Sequence, residues 1–298
     1  MTLDHWEQWG ETIPLLVNLQ PAGEYLGEGF FKAGGVPVVM KELDNKNLLN
    51  KEAMTVSGKT IVENLKKIIK KENNVIKDFD NPIKQKAGFL VLRSNFFDTA
   101  IMKMSVMGPE FKKRYLSNGE TPNSFTVKAI VFDGPEHYHK EINNPELKID
   151  ENCILIIRGC GPIGYPGAAE VVNMQPPDYL LKKGISSLPC LGDGRQSGTS
   201  ESPSILNASP ESAVGGGLAL LCTGDKVRLD LNARTLNAEV DPTEWEARRK
   251  NWEPPEIHNQ TPWQEIYRKN VGQLADGGCL ELATAYHRIK QDLPRDNH

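Results

Sequence analysis

Lys226-Val-Arg-Leu-Asp-Leu231 alternates strictly. Val227, Leu229 and Leu231 face one way, and Lys226, Arg228 and Asp230 the other. That is the period of a strand with one face in a core. Other short apolar runs share its texture: Phe89-Leu-Val-Leu92, Val127 to Phe132, Cys153 to Ile157, Leu188 to Leu191 and Leu218 to Cys222. Gly, Pro, Asn and Asp punctuate them. Many short strands at this spacing predict a mostly β domain with a few helices, closed or half closed into a barrel.

Upstream the texture differs. Pro14-Leu-Leu-Val-Asn18 reads as a short buried strand. A helical run follows over Tyr25, Leu26, Phe30 and Phe31 and halts near Gly34-Gly35. Thr60 is placed to cap a helix with Ile61, Leu65, Ile68 and Ile69 on one side. Lys66, Lys67, Lys70 and Lys71 form its other, solvated face. Asn81-Pro82 breaks the pattern. After Pro242 the chain is charged and rich in tryptophan, and Thr261 to Tyr286 reads as a late helix. The expected class is therefore α/β, in three parts. Residues 1–85 are the tail of an α/β domain, 86–245 a barrel-like domain, and 246–298 a helical arm.

The chain has 298 residues, 39% hydrophobic and 25% charged, with a net charge of −4. Such a balance suits a soluble globular protein. It offers no electrostatic footprint for nucleic acid or an anionic membrane. No apolar run of about 18 residues occurs, as a spanning helix needs. Met1 to Trp9 lacks the basic-then-apolar pattern of a signal peptide, so a cytoplasmic location is expected. Five cysteines, none in a CxxC pair, make a disulfide framework unexpected. Cys153, Cys190 and Cys222 read as core thiols.

Chemistry concentrates in two stretches. Gly159-Cys-Gly-Pro-Ile-Gly-Tyr-Pro-Gly-Ala-Ala-Glu170 is a rigid loop ending in a carboxylate. Glu170 reads as a ligand for a hard cation such as Mg²⁺ or as a first-turn helix glutamate. Gly192-Asp-Gly-Arg-Gln-Ser-Gly-Thr-Ser200 follows an apolar strand. Ser197 there is an exposed nucleophile or base, or one hydroxyl of a self-satisfied turn. Neither stretch is a Walker A loop, a dinucleotide fingerprint or a GxSxG elbow. His137-Tyr-His139 reads as surface helix, and Gly215-Gly-Gly217 as close packing or a tight turn before a strand at Leu218.

Taken together, the two stretches resemble the dihydroxy-acid and sugar-acid dehydratases. Gly161-Pro-Ile-Gly-Tyr-Pro-Gly-Ala-Ala-Glu170 is similar to that family's GPxGxPGxxE loop, and Asp193-Gly-Arg-Gln-Ser-Gly-Thr199 to its DGRxSGT turn. Ser209-Pro-Glu-Ser-Ala-Val-Gly-Gly216 resembles the segment after it. Pro14 to Gly23, Ala33 to Pro37, Ser57 to Ile61, Asn81-Pro82 and Leu92 to Asn95 match in order. The likeness covers nearly the whole chain. Gly-Tyr-Pro-Gly, Ile205 to Pro210 and Gln260 to Tyr267 incline it to the subgroup acting on sugar acids.

The resemblance implies a hydro-lyase that converts an aldonic acid, such as L-arabinonate, to its 2-keto-3-deoxy acid. Glu170 corresponds to a Mg²⁺ ligand and Ser197 to the base that removes the C2 proton. Thr199 and Arg195 share that turn, and Gly164, Tyr165, Pro166 and Gly198 line the substrate loop. Family members are about twice this length, and their other half carries the [2Fe–2S] cysteines and the remaining Mg²⁺ ligands. This chain resembles the C-terminal half only, so no cluster ligand is assigned to it and no dehydratase activity is expected of it alone. Glu201 also departs from the small residue expected beside the turn. A homo-oligomer, or association with an N-terminal half or a full-length relative, is expected. Two alternatives are a truncated, non-catalytic paralogue that binds sugar acids and a dihydroxy-acid dehydratase of branched-chain amino-acid synthesis.

Overall fold

Cys153-Ile-Leu-Ile-Ile157 carries no charge, and all five side chains are buried. A strand apolar on both faces belongs in the middle of a parallel sheet covered on both sides. The structure, a computed structural model describing residues 2–10, 12–117, 119–197 and 203–284, places it there. The strands are β1 Phe89–Leu92, β2 Thr99–Lys103, β3 Ser124–Asp133, β4 Cys153–Arg158, β5 Cys190–Gly192, β6 Ile205–Ser209, β7 Lys226–Asp230 and β8 Thr235–Ala238. They form one sheet in the order β1-β2-β6-β5-β4-β3-β7-β8. β3, β4, β5 and β6 run parallel to one another, and the other pairings within the sheet are antiparallel.

The sheet closes on itself. Arg93, one residue past β1, bridges Thr235 of β8. The Arg93 N–H donates to the Arg234 carbonyl at 3.0 Å, and the Leu236 N–H donates to the Arg93 carbonyl at 3.0 Å. Closure satisfies two strand edges that would otherwise be open to pairing. The expected barrel is therefore present.

Period-2 alternation sorts the side chains. Ile154 and Ile156 join Leu92, Met102, Val227 and Leu229 inside the barrel. Leu155 and Ile157 join Phe132, Val172, Leu180 and Leu188 in an outer layer. Each fully buried aliphatic side chain contributes roughly 1.5–3 kcal/mol. The outer layer is covered by α6 Gly134–Glu141 and α7 Asp178–Leu181, through Tyr138 and Leu180.

The first part of the chain holds α1 Leu3–Gly10, α2 Gly27–Lys32, α3 Gly35–Asn45 and α4 Ile61–Leu65, with a small core of Val38, Val75 and Ile76. Thr60 caps α4 as its side chain predicts. Its Oγ accepts from the Glu63 N–H at 3.3 Å, while the Thr60 N–H donates to the Glu63 carboxylate at 2.8 Å. Helix α1 lies on β1, with Trp6 edge-on to Phe89 at 5.3 Å. Its acids reach the closing seam: Arg93 pairs with Asp4 at 3.5 Å and Arg234 with Glu7 at 2.9 Å. Elsewhere this part exposes large apolar side chains, among them Phe31, Val56 and Ile69. Later helices are the single turn α5 Pro109–Phe111, α8 Pro242–Lys250, α9 Pro262–Asn270 and α10 Glu281–Thr284.

Several expectations are corrected. Leu218 to Cys222 is not a strand, since Gly217–Leu220 is a 3-10 turn. The backbone there packs too closely for a ladder: a Cβ on Gly216 would meet the Pro210 carbonyl oxygen at 1.9 Å. Pro14 to Asn18 makes only isolated bridges, Leu15 to Lys84 and Val17 to Ile76. The helix after Thr60 stops at Leu65, leaving Ile69 exposed. The late helix breaks after Asn270, where Val271 turns extended at φ −83°, ψ 134°. Its last residues, 285 and 286, lie outside the described residues. Cys222 is exposed and is no core thiol, unlike Cys153 and Cys190. His137 and His139 lie on a surface helix, as expected.

Candidate active site

Parallel strands share a direction, so their carboxyl ends share a rim. β4 ends at Arg158 and feeds the loop 159–170. β5 ends at Gly192 and feeds the turn 193–197. β6 ends at Ser209 and feeds 210–217, and β3 ends at Asp133, beside the start of α6. Both chemistry-bearing stretches therefore meet at one end of the barrel.

They are stitched together by backbone. The Arg195 N–H donates to the Ala169 carbonyl at 2.8 Å, and the Val172 N–H donates to the Arg195 carbonyl at 3.0 Å. These two bonds bracket Glu170. The Arg195 side chain adds a third, from Nε to the Ala168 carbonyl at 2.8 Å. A Cβ at Gly194 would stand 2.7 Å from the Ala169 carbonyl oxygen, so the approach requires glycine. Glu170 is exposed and begins no helix, which removes the helix-start reading. Ser197 is half-buried in the same turn. Gly198, Thr199 and Glu201 lie outside the described residues.

Two buried carboxylates organise this rim, and neither was singled out by sequence reasoning. Asp193 has no exposed surface. It accepts from the Gly159 N–H at 3.1 Å, the Cys160 N–H at 2.9 Å, the Ser212 N–H at 2.8 Å and the Ser212 hydroxyl at 2.6 Å. It thus ties together the segments that follow β4, β5 and β6. Glu211, 1% exposed, accepts from the Ile163 N–H at 3.0 Å, the Gly164 N–H at 2.8 Å and Gln273 Nε2 at 2.9 Å. Burial raises the pKa of both acids, and these hydrogen bonds oppose the rise. A sequence signal existed for Asp193, which follows the apolar strand Cys190-Leu-Gly192. The partners stand 19 to 34 residues away for Asp193 and 47 to 62 for Glu211, which no local pattern reveals.

A cleft of about 780 Å³ opens between the loop after β4, the start of α6 and the segment 252–268. Gly164, Tyr165 and Pro166 line it, with Arg158, Trp252 and Arg268. Arg158 is occupied, holding Asp133 at 2.6 Å and the carbonyls of Ala219 and Leu221. Glu170, Arg195 and Ser197 lie outside the cleft. The structure thus joins Glu170 to the 195–197 turn, and sets Gly164, Tyr165 and Pro166 toward a neighbouring cavity.

Metal and cluster fit differ. Glu170 offers one exposed carboxylate, whereas a hard cation takes several oxygen ligands. Among the described residues no three His, Cys, Asp or Glu side chains gather into a metal site. Cys153, Cys160 and Cys190 are buried, and Cys222 and Cys279 are exposed in other segments. Burial pushes the Cys153 thiol up to about 11 and the Cys160 thiol higher still. Cluster ligands must be thiolates, so these two are unsuited.

The barrel, with its glycine-rich loop locked against a DGR turn, lies within a stretch of the chain that matches a dehydratase C-terminal domain. Residues 74–279 match the family model described as dihydroxy-acid/6-phosphogluconate dehydratase C-terminal, and residues 1–64 the corresponding N-terminal model. The chain belongs to this family. It is 56% identical over 298 residues to D-xylonate dehydratase of Caulobacter vibrioides, covering 100% of this chain and 50% of the relative. It is 40% identical over 283 residues to L-arabinonate dehydratase of Rhizobium leguminosarum bv. trifolii, covering 95% and 47%. Dihydroxy-acid dehydratase of Clostridium kluyveri is 35% identical over 284 residues, covering 95% and 48%. The chain spans about half the length of the curated relatives it matches. The sequence pointed to L-arabinonate, yet of the two pentonate relatives the D-xylonate enzyme shares more residues. No helix among the described residues is long and apolar enough to cross a membrane.

Proposed function

We propose that the chain is the C-terminal part of a cytoplasmic hydro-lyase that dehydrates a five-carbon aldonic acid to its 2-keto-3-deoxy acid. One observation carries this reading: the two backbone bonds through Arg195 that hold Glu170 beside the turn bearing Ser197. Ser197 is the base that takes the C2 proton, and Glu170 is one ligand of a Mg²⁺ ion. Arg195 fixes the loop, and Thr199 and Gly198 belong to the same DGRxSGT motif. Gly164, Tyr165 and Pro166 bound the space for the sugar acid. A serine hydroxyl is not basic at neutral pH, and one carboxylate does not hold a hard cation. The remaining Mg²⁺ ligands and a [2Fe–2S] cluster therefore come from residues beyond those described. Residues 1–85 belong to the part that meets them, and 86–245 and 246–298 are the barrel and its arm.

Turnover of D-xylonate and L-arabinonate tests the proposal. The chain joined to, or mixed with, a polypeptide equivalent to the first half of its relatives gains activity, while the chain alone has none. Ser197→Ala in that assembly lowers kcat at least a hundredfold with the fold intact. Survival of activity in Ser197→Ala removes the assignment of Ser197 as base. Turnover by the 298-residue chain alone removes the need for a second half. Exposed Phe31, Val56 and Ile69 favour association over a solitary monomer.

A further inference from the structure

Ile163 and Gly164 are held on every side. Their N–H groups donate to the buried Glu211 carboxylate. Their carbonyls accept from Arg268 of α9, through Nε to Ile163 at 2.7 Å and through a terminal nitrogen to Gly164 at 3.4 Å. Glu211 is itself gripped by the arm. Gln273 donates to its carboxylate at 2.9 Å and accepts from its N–H at 2.7 Å. Nearby, the Ala275 N–H donates to the Ser209 hydroxyl at 3.2 Å. The fit allows no slack: a Cβ on Gly161 would lie 2.5 Å from the Glu211 carboxylate, and one on Gly164 would lie 2.7 Å from the Gly159 carbonyl oxygen.

We propose that Glu211, together with Gln273 and Arg268, is a positioning unit through which the C-terminal arm sets the loop carrying Tyr165, Pro166 and Glu170. The barrel alone supplies only half of the clamp. Glu211 supplies carboxyl oxygens that collect three donors at one point, where an amide would present an NH₂ group to one of them. Arg268 closes the opposite side of the same peptide units. The arm thereby shapes the loop from the side of Ile163 and Gly164. This inference rests on the dehydratase reading for its catalytic consequence, and on the hydrogen bonds alone for its structural one.

Hydrogen exchange on the 298-residue chain tests the structural claim. Gln273→Ala removes the arm's grip and leaves the carboxylate. Glu211→Gln leaves the shape but removes one acceptor oxygen. Each is expected to speed exchange at the amides of 163 and 164 about tenfold or more, while the amides of β4 are unchanged. Arg268→Lys keeps the charge and loses the forked contact, and is expected to give a smaller, equally local change. If exchange at 163 and 164 stays as in the unsubstituted chain, or rises only in step with β4, the positioning unit is refuted. In an active assembly, measured where each variant is fully folded, Glu211→Gln should raise KM for the aldonate more than it lowers kcat, and Glu211→Asp should restore part of the loss. A proportional fall in kcat with KM unmoved rules out loop positioning as the cause. If the assembly is inactive even unsubstituted, the dehydratase reading fails, and the exchange result still decides the clamp.

Discussion

At the scale of single residues, Asp193 is the group on which the rim depends most. Four donors from two loops converge on one buried carboxylate. Asp193→Asn keeps the volume but presents an NH₂ group to donors that need an acceptor. Hydrogen bonds to charged groups are worth about 1.5–3 kcal/mol, so a loss of roughly 2–3 kcal/mol is expected, read as a lower urea midpoint. An unchanged midpoint would show that the donors find other partners. Asp193 and Glu211 were hidden from sequence reading for one reason. A buried acid is marked by what surrounds it, and these surroundings come from distant loops. Glu170 and Ser197 could be pointed to because each sits inside a compact motif. What their motifs could not supply was the pairing between them, which runs through the backbone of Arg195.

At the scale of elements, the clamp on the loop after β4 has a pH signature. Burial holds the Glu211 pKa above its ordinary 4.5. The folded state then binds more protons than the unfolded state between 4.5 and the raised value. Stability from this group is full below 4.5 and is lost as pH rises through that window. Glu211→Gln cannot titrate. The stability advantage of the unsubstituted chain over Glu211→Gln, read as a gap in Tm, should therefore narrow as pH rises above 4.5. A gap that widens with pH would contradict the raised pKa. Elements also show what periodicity can reveal. β7 alternates, and β4 is apolar throughout, so both were legible in the sequence. β6, Ile205-Leu-Asn-Ala-Ser209, and β8, Thr235-Leu-Asn-Ala238, are short and half polar, and neither stood out as a strand. They exist because neighbouring strands pair with them. Leu218 to Cys222 errs the other way: its leucines are buried, yet glycine packing turns the backbone into a 3-10 turn.

At the scale of the molecule, closure depends on Arg93. Its backbone bonds to β8 join the ends of the sheet, while its side chain pairs with exposed Asp4 and half-buried Glu7 of α1. Arg93→Ala should cost at most about 1 kcal/mol, the range of exposed ion pairs. Arg93→Pro also removes the N–H that bonds the Arg234 carbonyl, and should cost about 3 kcal/mol. Equal thermal stability of the two variants would mean that the seam is not a structural joint. The barrel itself was expected from strand spacing. The closing pair was not, because a single residue beyond β1 makes it.

Asp193 has a consequence for how such a rim can change over time. Because one carboxylate ties the start of the loop after β4 to the segment after β6, neither can be remodelled at its tied end without disturbing the other. On the proposed function, variation in substrate choice is thereby channelled toward the middle of the loop, around Tyr165 and Pro166, where side chains face open space and the buried knot is left untouched.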